Sequence, residues 1–124
     1  MKKTIIFDLD GTLANIDVRR DISLKPNGKL NWEIFASPDS ILNFDTPNDP
    51  VIKMAQMFHN DGFKIVIFSG RNDRGFDATV QWLNNNHVPF DLLVLRPDKF
   101  KDKSWPIADG NPATPDMRFM PDEI

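Results

Sequence analysis

Thr4-Ile5-Ile6-Phe7 is a continuous β-branched and aromatic run without polar alternation, the pattern of a strand buried on both faces of a parallel sheet. We expect that strand over Thr4 to Leu9. From Asn15 to Asp49 the pattern breaks into a polar stretch with turn signals at Pro26-Asn27-Gly28, Pro38 and Pro47, through which Trp32, Phe35 and Phe44 are scattered. It reads as an excursion from the sheet. Asn48 or Asp49 can cap a helix that has Pro50 at its first position, with Val51, Met54, Ala55, Met57 and Phe58 close to one face, so a helix is expected over Pro50 to Asn60 and those methionines in the core. Phe63, Ile65, Val66, Ile67 and Phe68 form a second buried strand ending in Ser69-Gly70-Arg71. Asp77, Ala78, Val80, Trp82 and Leu83 predict a helix that leaves at Asn84-Asn85-Asn86, and Leu92 to Leu95 a third strand closed by Arg96-Pro97. Strands alternating with helices predict an α/β fold with a parallel sheet.

Composition narrows the class. A chain of 124 residues has room for one domain, and 40% hydrophobic with 27% charged residues is an ordinary globular mixture. Without cysteine there is no disulfide framework, thiolate metal site or cysteine nucleophile, which fits a reducing compartment; the cytoplasm is the expectation. The apolar run after Lys2 and Lys3 is broken at once by Asp8 and Asp10, too early for a signal peptide or a membrane span. A net charge of −3 argues against a general electrostatic hold on nucleic acid. From Lys99 to Ile124 four prolines and no apolar period predict an irregular tail, and Pro121-Asp122-Glu123 reads as the first turn of a helix that the sequence does not continue.

The chemistry concentrates at Asp8-Leu9-Asp10-Gly11-Thr12, where the first strand leaves the sheet; in open α/β sheets ligands bind at carboxyl strand ends. Residues two apart on extended backbone point the same way, and Gly11 permits the sharp turn that brings backbone close to a phosphate. Two adjacent carboxylates repel unless a cation such as Mg²⁺ holds them; one can then serve as nucleophile and the other as proton donor. The tripeptide Asp-Gly-Thr alone is more often a plain turn, but four specified residues at these positions arise by chance in about one of 1,000 chains this long. Ser69, the amides of Gly70 and Arg71, and the Arg71 guanidinium could cradle phosphoryl oxygens at the neighbouring strand end. His59 and His87 read as a helix-end and a loop residue, and Lys99, Lys101 and Lys103 as a solvated run.

Ile5-Ile6-Phe7-Asp8-Leu9-Asp10-Gly11-Thr12-Leu13 resembles the first motif of the haloacid dehalogenase-like phosphatases, and Phe68-Ser69-Gly70-Arg71 their second. The resemblance implies that Asp8 attacks phosphorus to give an aspartyl-phosphate, that Asp10 protonates the leaving oxygen and then activates water, and that Ser69 binds the transferring group. It also implies Mg²⁺ on the Asp8 carboxylate and the Asp10 backbone carbonyl, with Gly11, Thr12 and Gly70 beside the phosphate. Arg19, Trp32, Phe35, Asp45-Thr46-Pro47-Asn48, Ser69-Gly70-Arg71-Asn72-Asp73 and Leu95-Arg96-Pro97 are together similar to the phosphatase domain of phage polynucleotide kinase/phosphatase over most of residues 1 to 100. That likeness implies a Rossmann-like core with residues 14–49 as a small cap insertion, and a nucleotide or nucleic-acid 3′-phosphate as substrate. Arg19, Arg71 and Arg96 are then the substrate contacts.

The family carries a lysine and an acidic pair downstream that this sequence lacks, so the metal-completing half is expected to be missing, with Asp109, Asp116 or Asp122 as substitutes. The first strand is expected to be an open apolar edge, a template for self-association or for cover by the tail. Two other readings stay open: a fragment that binds phosphate, metal or a partner protein without turnover, and a nucleic-acid module using Arg19, Arg20, Lys25 and Lys29.

Overall fold

The computed structural model describes residues 3–100. Strand β1 (Thr4–Phe7) runs into a tight loop, after which β2 (Ala14–Asn15) pairs antiparallel with β3 (Thr46–Pro47) in a short ribbon. Between the ribbon's strands lie three short helices, α1 (Asp17–Ser23), α2 (Trp32–Phe35) and α3 (Pro38–Phe44). Helix α4 (Asp49–Asn60), strand β4 (Lys64–Asn72), helix α5 (Phe76–Asn85) and strand β5 (Leu92–Arg96) complete the order. The sheet is β1-β4-β5 and parallel throughout, with Thr4 opposite Lys64, Phe7 opposite Ile67 and Ile67 opposite Leu93. The chain is therefore α/β with a parallel sheet, as the alternation predicts, and its core is Rossmann-like, as the resemblance implies.

Alternation along the strands decides what is buried. Phe7, Ile65, Ile67, Leu93 and Leu95 point into one core with Ile52 and Ala55 of α4 and Ala78, Trp82 and Leu83 of α5. Their alternates form the opposite face, on which Ile6 is 46% exposed and Phe68, Leu92 and Val94 are half-buried. The expectation that β1 is buried on both faces therefore fails, because among the described residues β1 is an edge strand and only β4 lies between neighbours. Helix α4 corrects the core too: it presents Ile52 and Ala55 with Val51 and Phe58 behind them, leaving Met54 and Met57 48% and 60% exposed. At 100° per residue a sheet contacts one narrow stripe of a helix, and the methionines sit on its flank.

Local chemistry sets the joints. Ser37 Oγ accepts the Ser40 amide at 3.1 Å to cap α3, which has Pro38 in its first turn. Asn48 stands at the cap position of α4, yet its Nδ2 donates instead to the Thr12 carbonyl at 2.8 Å and its amide to the Leu13 carbonyl at 2.9 Å, so it ties the loop after β1 to the helix. A Cβ on Gly75 would stand 3.0 Å from Ile41 Cδ1, which is how closely α5 approaches α3. His59 ends α4, and His87, at φ 58°, lies in the loop after α5. No helix among the described residues is long and apolar enough to cross a membrane. The tail from Lys101 onward, with Lys101, Lys103, Asp109, Asp116, Asp122 and the Pro121 turn, lies outside the described residues.

Candidate active site

The loop after β1 is wound around one carbonyl. Leu9 O accepts the amides of Thr12, Leu13 and Ala14 at 3.2, 3.0 and 3.0 Å, and Gly11 makes the bend at φ 80°, a conformation an L side chain resists by roughly 1–2 kcal/mol. Buried Leu9 points inward, while Asp8 and Asp10 on either side of it line a cavity of about 750 Å³ at the carboxyl end of the sheet. Asp8 is exposed, and its Oδ1 accepts the Leu9 amide at 2.7 Å.

Asp10 is held from far along the chain. Its Oδ1 accepts hydrogen bonds from Arg19 Nη2, at 3.2 Å, and from Arg71 Nη2. Both guanidiniums also grip Asp45: Arg19 Nε donates to its Oδ1 at 2.8 Å and Arg71 Nη2 to its Oδ2 at 3.2 Å. The four side chains close a ring of alternating charge in which each carboxylate is shared by both arginines. Arg19 is 1% exposed, its Nη1 donating to the Phe35 carbonyl at 2.6 Å and its guanidinium lying 4.3 Å from the Phe35 ring centroid. Arg71 Nη1 donates to Thr79 Oγ1 at 3.0 Å on α5, while its buried Nε has no partner among the described residues. Burial pushes the Asp45 carboxyl above its ordinary value of 3.8, outweighing the two guanidiniums that pull it down.

The Ser69-Gly70-Arg71 segment corrects one expectation. It does not follow the strand but belongs to β4, in the stretch where register with β5 shifts between Phe68 and Asn72. Buried Ser69 faces the cavity and its Oγ accepts the Arg71 amide at 3.1 Å, so that amide is turned inward. Gly70, Arg71 and Arg96 join Asp8, Asp10, Arg19 and Ser69 around the same cavity. Gly11 lines a neighbouring cavity under the ribbon, its amide bonded to the Ala14 carbonyl, and the Thr12 amide is bonded to Leu9; the fold brings neither amide to the main cavity. Arg19 buried in the ring also removes the lead residue of the basic module read at Arg19, Arg20, Lys25 and Lys29.

Thr79 carries no local signal for a site, and Asp45 stands only within the Asp45-Thr46-Pro47-Asn48 stretch of the resemblance, with no role assigned to it. Asp45 partners arginines 26 residues away, and Thr79 meets Arg71 from the adjoining helix α5, eight residues on. Among the described residues no three carboxylates or histidines stand together to hold a metal ion. The donors that the resemblance implies, the exposed Asp8 carboxylate and the Asp10 backbone carbonyl, are hard oxygens. They fit Mg²⁺, which binds through one or two carboxylates together with waters and substrate phosphate.

The family model described as the polynucleotide kinase PNKP phosphatase domain matches residues 2–107. The chain belongs to that family. It is of the haloacid dehalogenase type, and its three-stranded parallel sheet is the core that type implies. Among solved structures it is similar to a chain of a Pnkp1/Rnl/Hen1 complex, with 28% identity and a TM-score of 0.59, covering 83% of this chain and 31% of that one. A Pnkp1/Rnl/Hen1 RNA repair complex gives 29% and 0.60, covering 82% of this chain and 28% of that one. This chain thus spans less than a third of the length of either. A Vibrio cholerae structure at 24% identity and a TM-score of 0.50, covering 98% of this chain and 91% of its own, shares the fold. No curated protein matches.

Proposed function

We propose that the chain is a Mg²⁺-dependent phosphomonoester hydrolase that works through an aspartyl-phosphate on Asp8 and takes a nucleotide or nucleic-acid 3′-phosphate. The observation that carries this is the contrast between an exposed Asp8 and an Asp10 gripped by two guanidiniums, two residues apart on one cavity. In this reading an Asp8 oxygen forms the new bond to phosphorus as the ester oxygen leaves. Asp10, its Oδ1 fixed by Arg19 and Arg71, gives the proton to that leaving oxygen from Oδ2 and takes one back from the water that releases phosphate. Ser69, Gly70 and Arg96, which line the same cavity, would contact the phosphoryl oxygens, and Gly11 and Thr12 shape the turn that follows Asp8. The Asp8 carboxylate and the Asp10 carbonyl would hold Mg²⁺, which would supply neutralisation of phosphate charge.

The substrate class draws support from the relatives, one of which is named for RNA repair. We read residues 14–49 as a cap over a single domain, residues 99–124 as its tail, and the cytoplasm as its place, given a chain without cysteine. We further propose self-association along β1, which has no strand on its other side among the described residues and leaves Ile6 half exposed. Light scattering at increasing concentration tests this: Ile6→Lys should abolish any dimer, and a wild-type monomer at every concentration overturns it.

The catalytic reading is tested by Mg²⁺-dependent phosphate release from a chromogenic monoester and from a 3′-phosphorylated oligonucleotide. Release lost in Asp8→Asn supports it. No release by the wild type at high concentration favours the second reading, binding without turnover.

A further inference from the structure

We propose that Trp32 is a stacking platform for the base of the terminal nucleotide, so that the site selects a nucleic-acid end over a bare phosphomonoester; this rests on the phosphatase reading of the same cavity. Trp32 is 62% exposed, and α2 contributes no buried residue, so the indole is not spent on the core. It lines the cavity that holds Asp8 and Ser69. Its place is set at both ends of the helix: Asn31 Oδ1 accepts the Glu33 amide at 3.1 Å, and the Phe35 carbonyl accepts Arg19 Nη1.

The indole meets the Phe35 ring edge-to-face at 5.3 Å and 89°. Phe35 is itself stacked under the Arg19 guanidinium that reaches Asp10. An exposed aromatic is thus fastened through one ring to the groups beside the proposed nucleophile. Four guanidiniums, those of Arg19, Arg71, Arg74 and Arg96, line this cavity; Arg19 and Arg71 share Asp10 and Asp45, and Arg74 Nε lies 3.3 Å from Asp98 Oδ1. A cationic wall beside an aromatic face is what a single-stranded nucleic acid requires, because its phosphates need countercharge and its bases a ring to stack on. A small aliphatic phosphate ester would use the cations and leave the indole idle.

The test separates stacking from chemistry. Strands with a 5′ fluorophore and a 3′-phosphate, ending either in a base or in an abasic sugar, are bound to Asp8→Asn protein and followed by anisotropy. We expect the base-terminated strand to bind about tenfold more tightly, Trp32→Ala to bring that ratio close to one, and Trp32→Phe to keep most of it. Thermal melts of Trp32→Ala should overlay those of the parent, since the side chain is exposed. Equal binding of the two strands, a ratio unmoved by Trp32→Ala, or no binding of either strand overturns the platform. Turnover of both strands by the chain with Asp8 intact is read separately: base-dependent binding without turnover sinks the catalytic reading alone, and turnover without base preference sinks the platform alone.

Discussion

Asp8 and Asp10 are two residues apart and share a cavity, yet their surroundings have opposite origins. Asp8 is exposed, and its Oδ1 accepts the amide of the next residue. Asp10 is clasped by arginines 9 and 61 residues away, which are clasped in turn by buried Asp45. A carboxylate oriented by its own backbone is free to meet a substrate, whereas one oriented by a ring of distant charges is held for one task. The difference teaches that spacing can bring two like groups together, but only long-range packing can make them unlike.

Breaking the exposed side has the largest effect. Asp8→Asn should lower phosphate release by at least about 1,000-fold while leaving the melting curve in place, measured by steady-state kinetics and circular dichroism. Breaking the clasped side should do the reverse in kind: Arg19→Ala removes the shorter of the two ion pairs of buried Asp45, leaving it Arg71 alone, and costs about 3 kcal/mol in urea unfolding. Full stability in that variant would mean that the ring contributes nothing to the fold.

Asp45 gives a pH signature of the ring. Because burial raises its folded value above 3.8, the folded chain holds that proton more tightly than the unfolded chain does. Its contribution to stability is therefore greatest below 3.8 and is lost as pH rises through the folded value. Urea midpoints of the wild type relative to Asp45→Asn should fall across that window and level off above it. A flat difference would place the Asp45 carboxyl in an ordinary environment.

Smaller effects sharpen the boundary between site and scaffold. Gly75→Ala presses a methyl against Ile41 Cδ1 at 3.0 Å and should cost about 1 kcal/mol, read as a lower Tm with phosphate release little changed. Met57→Gln, on the exposed flank of α4, should stay within about 0.5 kcal/mol of the parent. A large loss there would restore the methionine to the core.

Much of the scaffold was legible because its causes are local. Unbroken apolar runs at Ile5-Ile6-Phe7, Ile65-Val66-Ile67 and Leu92-Leu93-Val94 announce the three parallel strands, and Pro50 announces the start of α4. Errors fell where burial depends on neighbours. Ile6 and Met57 have the right residue type for a core, but an edge strand and a helix flank decide their exposure. Ser69 and Arg71 were visible as a motif, whereas their place inside a register shift was not.

What the amino-acid order determined alone is the pair Asp8 and Asp10 at a strand end, with Gly11 to turn the chain, since these rest on backbone geometry over a few residues. What only the tertiary structure decided is the company that Asp10 keeps. Arg19, Asp45 and Arg71 are joined by Coulomb attraction inside a region that excludes water, and three segments must fold before that attraction exists.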